Sequence, residues 1–195
     1  YGPHTATLYA RSSCLANSCA SLAHHFLSAS APNSATAYKL GGPSGPCYEL
    51  AASGPAIVAY LRSLTPEGTL EAAAAAIEAQ ETALLDVLLG FLTSPKMRER
   101  GVRVAGSAKN DAARVPTVSF VVLGPRAMSS RAIVGAVDTR GGIGIRFGHF
   151  YAYTLVQEFD GVHDVEDGVV RISLVHYNTV EEAKQIVRVL EEVLA

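Results

Sequence analysis

The sequence predicts an α/β fold, a small sheet covered by helices. From about residue 65 onward, short apolar runs rich in β-branched residues alternate with segments whose apolar positions recur at helical spacing. Such alternation places strands in a sheet with helices against it. Nearly half of the 195 residues, 49%, are apolar, which is enough to bury a sizeable core. Residues 12–56 stand apart: they are rich in Ser, Ala, Gly and Pro and weakly periodic.

The chain opens YGPHTATLYARSS, a Gly-Pro turn dipeptide followed by the apolar ATLY, which reads as the second half of a loop-to-strand junction. SASAPNSATAYKLGGPSGP reads as loop, closed by a short strand or turn at CYEL. Loops this long are uncommon within compact domains and are often functional or covered by a partner. Thr65-Pro66 supplies an N-cap and a first-turn Pro, and the apolar positions from Leu70 to Leu92 predict one long helix ending at Ser94-Pro95. GVRVAG is a short β run. VPTVSFVVLG is a second strand, with Pro116 at its mouth, where a missing N–H is tolerated. SSRAIVGAVDTRG is a helix stopped by Gly141, IGIRFG a short strand, and GHFYAYTLVQEF a turn that becomes a helix. GVVRISLVHY is the last strand. Thr179 and Glu182 then form a capping box ahead of the final helix.

Bulk composition excludes several function classes. The formal charge is −2 without a basic or acidic block, which argues against nucleic-acid or anionic-membrane partners. The most apolar stretch, LEAAAAAIEAQETALLDVLLGFL, carries Glu71, Glu78, Glu81 and Asp86, so it predicts an amphipathic helix and not a bilayer span. Cys14, Cys19 and Cys47 are odd in number and lack a second C-x4-C partner, so neither a disulfide framework nor a metal site is indicated. A reduced, cytoplasmic setting is the expectation.

Three stretches set polar groups against apolar runs: YGPH, IGIRFGHFYAYTL and VVRISLVHYNTVEE. Arg171 lies between Val170 and Ile172; strand alternation puts it on the face of Val169 and Ser173. It reads either as an arginine on a wet sheet face or as a guanidinium aimed into a site, gripping a carboxylate through its rigid fork. His149 follows Gly148 at a strand-to-helix junction, where functional side chains are common; on the residues alone, capping the helix or packing on Tyr151 is the simpler account. Asn178 and Thr179 are accounted for as turn former and cap.

IRFGHFYA followed by VVRISLVHYNTVEEA resembles the C-terminal signature of class V aminotransferases, and more closely that of the cysteine desulfurase-like branch. YGPHTATLYAR resembles the segment just after the pyridoxal-phosphate lysine in that family, and GPCYELAAS and RVPTVSFVV fit as well, so the resemblance covers essentially the whole chain. It implies the pyridoxal-phosphate-dependent transferase fold, with residues 1–56 as the last strand and loops of the large cofactor domain, 57–94 as a linking segment and long helix, and 95–195 as the small α/β domain. It implies pyridoxal phosphate as the cofactor of a longer parent, its attachment lysine and most of its phosphate contacts lying upstream of Tyr1. Lys39, Lys96, Lys109 and Lys184 read as ordinary surface lysines. The resemblance implies a homodimer, an amino-acid substrate held at its carboxylate by Arg171, and His149 and Tyr151 on the closing face. Two positions depart from the pattern. Tyr151 stands where desulfurases carry the persulfide Cys, and a phenol with an ordinary pKa near ~10 cannot take sulfur as a thiolate does. Ala51 and Ala52 stand where the family commonly has Gly-Thr, leaving Ser53 as the hydroxyl that could reach a cofactor phosphate. The implied activity is that of a transferase or lyase acting on an amino acid; the alternative is a non-catalytic binding or dimerisation module, or a degenerate paralogue.

Overall fold

The computed structural model describes residues 47–111 and 114–195, with His4, Tyr9, Arg11, Ser13 and Cys14 as single positions ahead of them. The loop and strand expectations over residues 1–46, with Lys39 and Cys19, otherwise lie outside the described residues. The chain divides into two compact units, Tyr1–Ala73 and Ala74–Ala195.

In the first unit, helices α1 (Tyr48–Ala52) and α2 (Gly54–Arg62) follow one another across Ser53. The strand or turn expected at CYEL is instead the start of α1: no breaker interrupts YELAA, and the Ala51 N–H donates to the Cys47 carbonyl at 3.0 Å. Neither helix has a buried residue. The long helix α3 spans Leu70–Leu92, starting later than Thr65-Pro66 suggests. Gly68 has φ +63° and turns the chain back, its N–H donating to the Thr65 carbonyl at 3.2 Å. The cap is therefore Thr69, whose hydroxyl accepts from the Ala72 N–H at 3.2 Å.

In the second unit, Ser94 and Pro95 end α3 and at once begin another helix, α4 (Pro95–Arg100), which the sequence reading did not separate. Ser94 accepts from the Met97 N–H, and Pro95 occupies the first turn, where its missing N–H is not needed. Strands β1 (Val102–Val104) and β2 (Thr117–Val122), helix α5 (Ser130–Asp138), strand β3 (Arg146–Gly148), the short helix α6 (Tyr153–Gln157), strand β4 (Val169–Ser173) and helix α7 (Val180–Val193) follow. The sheet order is β1-β2-β4-β3, and every neighbouring pair is antiparallel.

The two faces of the sheet differ. Val118, Phe120, Val170 and Ile172 join the main core with Leu84, Leu88 and Leu92 of α3, Ile133 and Val137 of α5, and Leu190 of α7. Burying each of these large side chains is worth roughly 1.5–3 kcal/mol. The other face carries Val121 and Val169 in a smaller cluster with Val156, onto which Leu123, Phe150 and Phe159 pack. Next to that cluster it carries Ser119, Arg171 and Arg146 in register.

Two polar devices lock helices to this frame. Asp167 accepts from the Ser130 and Arg131 N–H groups at 2.8 and 2.9 Å, capping α5 from the segment ahead of β4. The capping box at the head of α7 is formed: Glu182 N–H donates to the Thr179 hydroxyl and Thr179 N–H to the Glu182 carboxylate, at 3.1 and 2.7 Å. The Thr179 backbone bond, with a further one from the Asn178 amide, holds the Glu182 carboxyl below its ordinary pKa.

Candidate functional site

The turn between β3 and α6 is backbone-strained. Gly148 has φ +124°, and Phe150 and Tyr151 follow at φ +51° and +63°, left-handed values that residues with a Cβ adopt at a cost of about 1–3 kcal/mol each. Gly148 also meets Gly168 in an isolated bridge, so the start of the turn is pressed against the segment leading into β4. The chain is thereby bent so that three consecutive side chains leave it in different directions.

Tyr151 stands fully in solvent at 100% exposure. Phe150 folds back onto the smaller cluster. The half-buried His149 ring sits between Tyr151 and Tyr153, edge-on to both, with centroids 6.3 and 5.6 Å away. Its Nδ1 accepts from the Tyr151 N–H at 3.1 Å, which assigns the proton of the neutral ring to Nε2; that atom faces the Glu166 carboxylate at 4.0 Å. His149 is thus held as the tautomer that accepts at Nδ1 and presents an N–H at Nε2.

Arg171 projects from the middle of β4, and its guanidinium carbon lies 3.8 Å above the centre of the Phe150 ring. Such a contact holds the planar cation in place without neutralising it. Among the described residues Arg171 belongs to no ion pair. The structure therefore brings Arg171, His149 and Tyr151 to one neighbourhood, joined through Phe150. The sequence reading did not select Phe150. Its signal was an aromatic between two polar residues in a glycine-led turn.

Ser53 belongs to the first unit. It ends α1, and its hydroxyl donates to the Leu50 carbonyl at 2.5 Å. Reaching a phosphate would require that bond to be released. Lys96, Lys109 and Lys184 are exposed, and Lys184 is paired with Glu181 at 2.7 Å; none has the desolvated surroundings that activate a Schiff-base lysine. The described residues thus do not form a cradle for pyridoxal phosphate. What they do present is a cationic side chain, Arg171, backed by the Phe150 ring.

A separate open cleft of about 250 Å³ is lined by Val121, Met128, Ser130, His163 and Asp167 among others. Arg171 is not part of its wall, and Asp167 is already engaged by the backbone of α5. No helix among the described residues is long and apolar enough to cross a membrane.

The aminotransferase class-V family model matches residues 63–186. The aminotransferase-like protein FGM3 of Gibberella zeae is 40% identical over all 195 residues, which cover 44% of that relative. The cysteine desulfurase-like protein ustD of Aspergillus flavus is 33% identical over the same span, 40% of its length. The nonribosomal peptide synthetase-like enzyme fsqF of Aspergillus fumigatus is also 33% identical, over 12% of its length. The chain therefore spans less than half the length of each of these relatives. Among solved structures, a NifS-like protein from Rickettsia africae matches 60% of this chain and 29% of its own, at 23% identity and a TM-score of 0.44.

Proposed function

This chain belongs to the aminotransferase class-V family, and from that premise we propose that it is the substrate-carboxylate side of a pyridoxal-phosphate-dependent transferase or lyase acting on an amino acid. The observation that carries the proposal is Arg171, a half-buried guanidinium backed by the Phe150 ring and without a carboxylate partner among the described residues. An arginine held this way presents two parallel N–H donors to a carboxylate at small entropic cost.

Pyridoxal phosphate, the cofactor of this family, supplies an electron sink when bound. In this proposal the upstream part of a longer parent holds it, residues 1–56 close the large domain around it, 57–94 link, and 95–195 form the small domain. The parent is a homodimer, with Ser53 turning its hydroxyl from Leu50 toward the phosphate. Arg171 orients the substrate. His149, fixed at Nδ1, presents its Nε2–H as a hydrogen-bond donor, and Tyr151 lies beside it as a polar contact on the closing face. With Tyr151 in the position of the desulfurase Cys, the reaction does not pass sulfur through residue 151.

The test compares binding of an amino acid and of its decarboxylated amine to the full-length, cofactor-loaded parent, by calorimetry. Arg171→Ala weakens the amino acid by roughly 2–5 kcal/mol, as expected when one partner of a desolvated charge pair is removed, and leaves the amine almost unchanged. Arg171→Lys rescues poorly because a point charge cannot reproduce the two parallel bonds. Equal losses for both ligands would make Arg171 structural and end the proposal.

A further inference from the structure

Arg171 does not stand alone on its sheet face. In the antiparallel register Arg146 of β3 is directly opposite it on one side and Ser119 of β2 on the other. Directly opposite residues share a face, with Cβ atoms about 4.5–5.5 Å apart, and like charges placed so repel. Arg146 is exposed on the edge strand, and neither arginine takes part in an ion pair among the described residues. Neither can turn away from the other by crossing the sheet, because the opposite face at this point is the main core, with Val170 and Phe120 buried. The row Ser119–Arg171–Arg146 contains donors only at its cationic end and no acid to compensate them.

Two like charges in register on a small sheet work against folding, and such local conflicts are expected where function requires them. What resolves the conflict is a ligand with two anionic groups at a similar spacing. Each planar fork takes one carboxylate, and two carboxylates joined by two or three carbons span a cross-strand pair. We propose that Arg146 is a second anion subsite, so that the substrate is a dicarboxylic amino acid: Arg171 takes the α-carboxylate and Arg146 the acid at the end of the side chain. This rests on the reading of Arg171 given above and adds the substrate class to it.

The experiment uses the 195-residue chain and follows the arginine Nε–Hε resonances by NMR while titrating succinate or propionate at constant ionic strength. Amide resonances of the core residues Val118, Phe120 and Leu190 confirm that each variant is folded. Succinate is expected to shift both Arg146 and Arg171 and to bind about tenfold or more tightly than propionate, the gain from one further charge-assisted contact. Arg146→Gln should bring succinate to the level of propionate while Arg171 still responds, and Arg146→Lys should recover only part of the difference. Equal binding of the two ligands to the wild type, or a succinate preference that survives Arg146→Gln, overturns the second subsite. The Arg171 reading falls separately, if Arg171→Gln leaves propionate binding unchanged. No shift at either arginine overturns both.

Discussion

At the scale of single residues, the β3–α6 turn divides its strain between two aromatic side chains that differ in what they gain. Phe150 and Tyr151 both sit at positive φ, but Phe150 packs on the smaller cluster beneath Arg171 whereas Tyr151 is wholly exposed. Tyr151→Gly removes a strained conformation worth about 1–3 kcal/mol and adds about 0.4–1 kcal/mol of unfolded-chain entropy, with no burial lost. It should raise stability by about 1 kcal/mol in urea unfolding. Phe150→Gly relieves the same strain yet should destabilise, because the cluster and the guanidinium lose their ring. A loss of stability in Tyr151→Gly would show that the exposed ring has a packing role that its full exposure conceals. Arg171 was legible in the sequence because a charge between Val170 and Ile172 breaks the apolar pattern of its strand. Phe150 and Arg146 were not, since their importance depends on which residue lies across the sheet or over the turn, and that pairing is non-local.

At the scale of elements, periodicity and caps located every strand of the sheet, α3, and the final helix with its Thr179–Glu182 box. CYEL, expected as a strand or turn, is helix because YELAA carries no breaker, and two helix boundaries differ where glycine or proline chemistry has two outcomes. Pro66 marked a helix start that Gly68 postponed to Leu70, and Pro95 marked a helix end that is also the first turn of α4. Glycine also fixes how the site's turn meets β4. Gly168 has φ +55°, and a Cβ there would lie 2.3 Å from the carbonyl carbon and 2.4 Å from the oxygen of Gly148, the residue before His149. Gly168→Ala adds a backbone collision to the left-handed penalty, so a loss of roughly 2–4 kcal/mol is expected. Gly106→Ala, at φ +77° with open space around it, should cost only the conformational part, about 1–2 kcal/mol. Chemical denaturation of the two variants separates the effects, and the His149 ring resonances should move in the first and not in the second. Equal costs would mean that the Gly148–Gly168 crossing does not constrain the turn.

At the scale of the whole molecule, burial is concentrated in one part of the chain. Every buried apolar side chain among the described residues lies between Ala73 and Leu194, while α1 and α2 bury none. Helices of 5 and 9 residues are too short to be stable without packing, since isolated helices below about 12–15 residues are marginal in water. The proposal that residues 1–56 close the large domain of a longer parent, and that 57–94 link it to the small domain, gives α1 and the start of α2 a covered environment there. In the 195-residue chain, amides of Tyr48–Arg62 should therefore exchange with protection factors below about 10², while those of β2 and β4 reach at least about 10⁴, the level set by global unfolding. In the full-length parent the protection of Tyr48–Arg62 should rise toward that of the sheet. Hydrogen exchange read by NMR or mass spectrometry on the two proteins decides it. If Tyr48–Arg62 is already as protected as β2 and β4 in the 195-residue chain, this segment needs no further domain to hold it, and the assignment of residues up to 56 to the large domain is wrong. If its protection stays low in the parent, the segment is not covered there, and Ser53 loses its proposed place beside the phosphate.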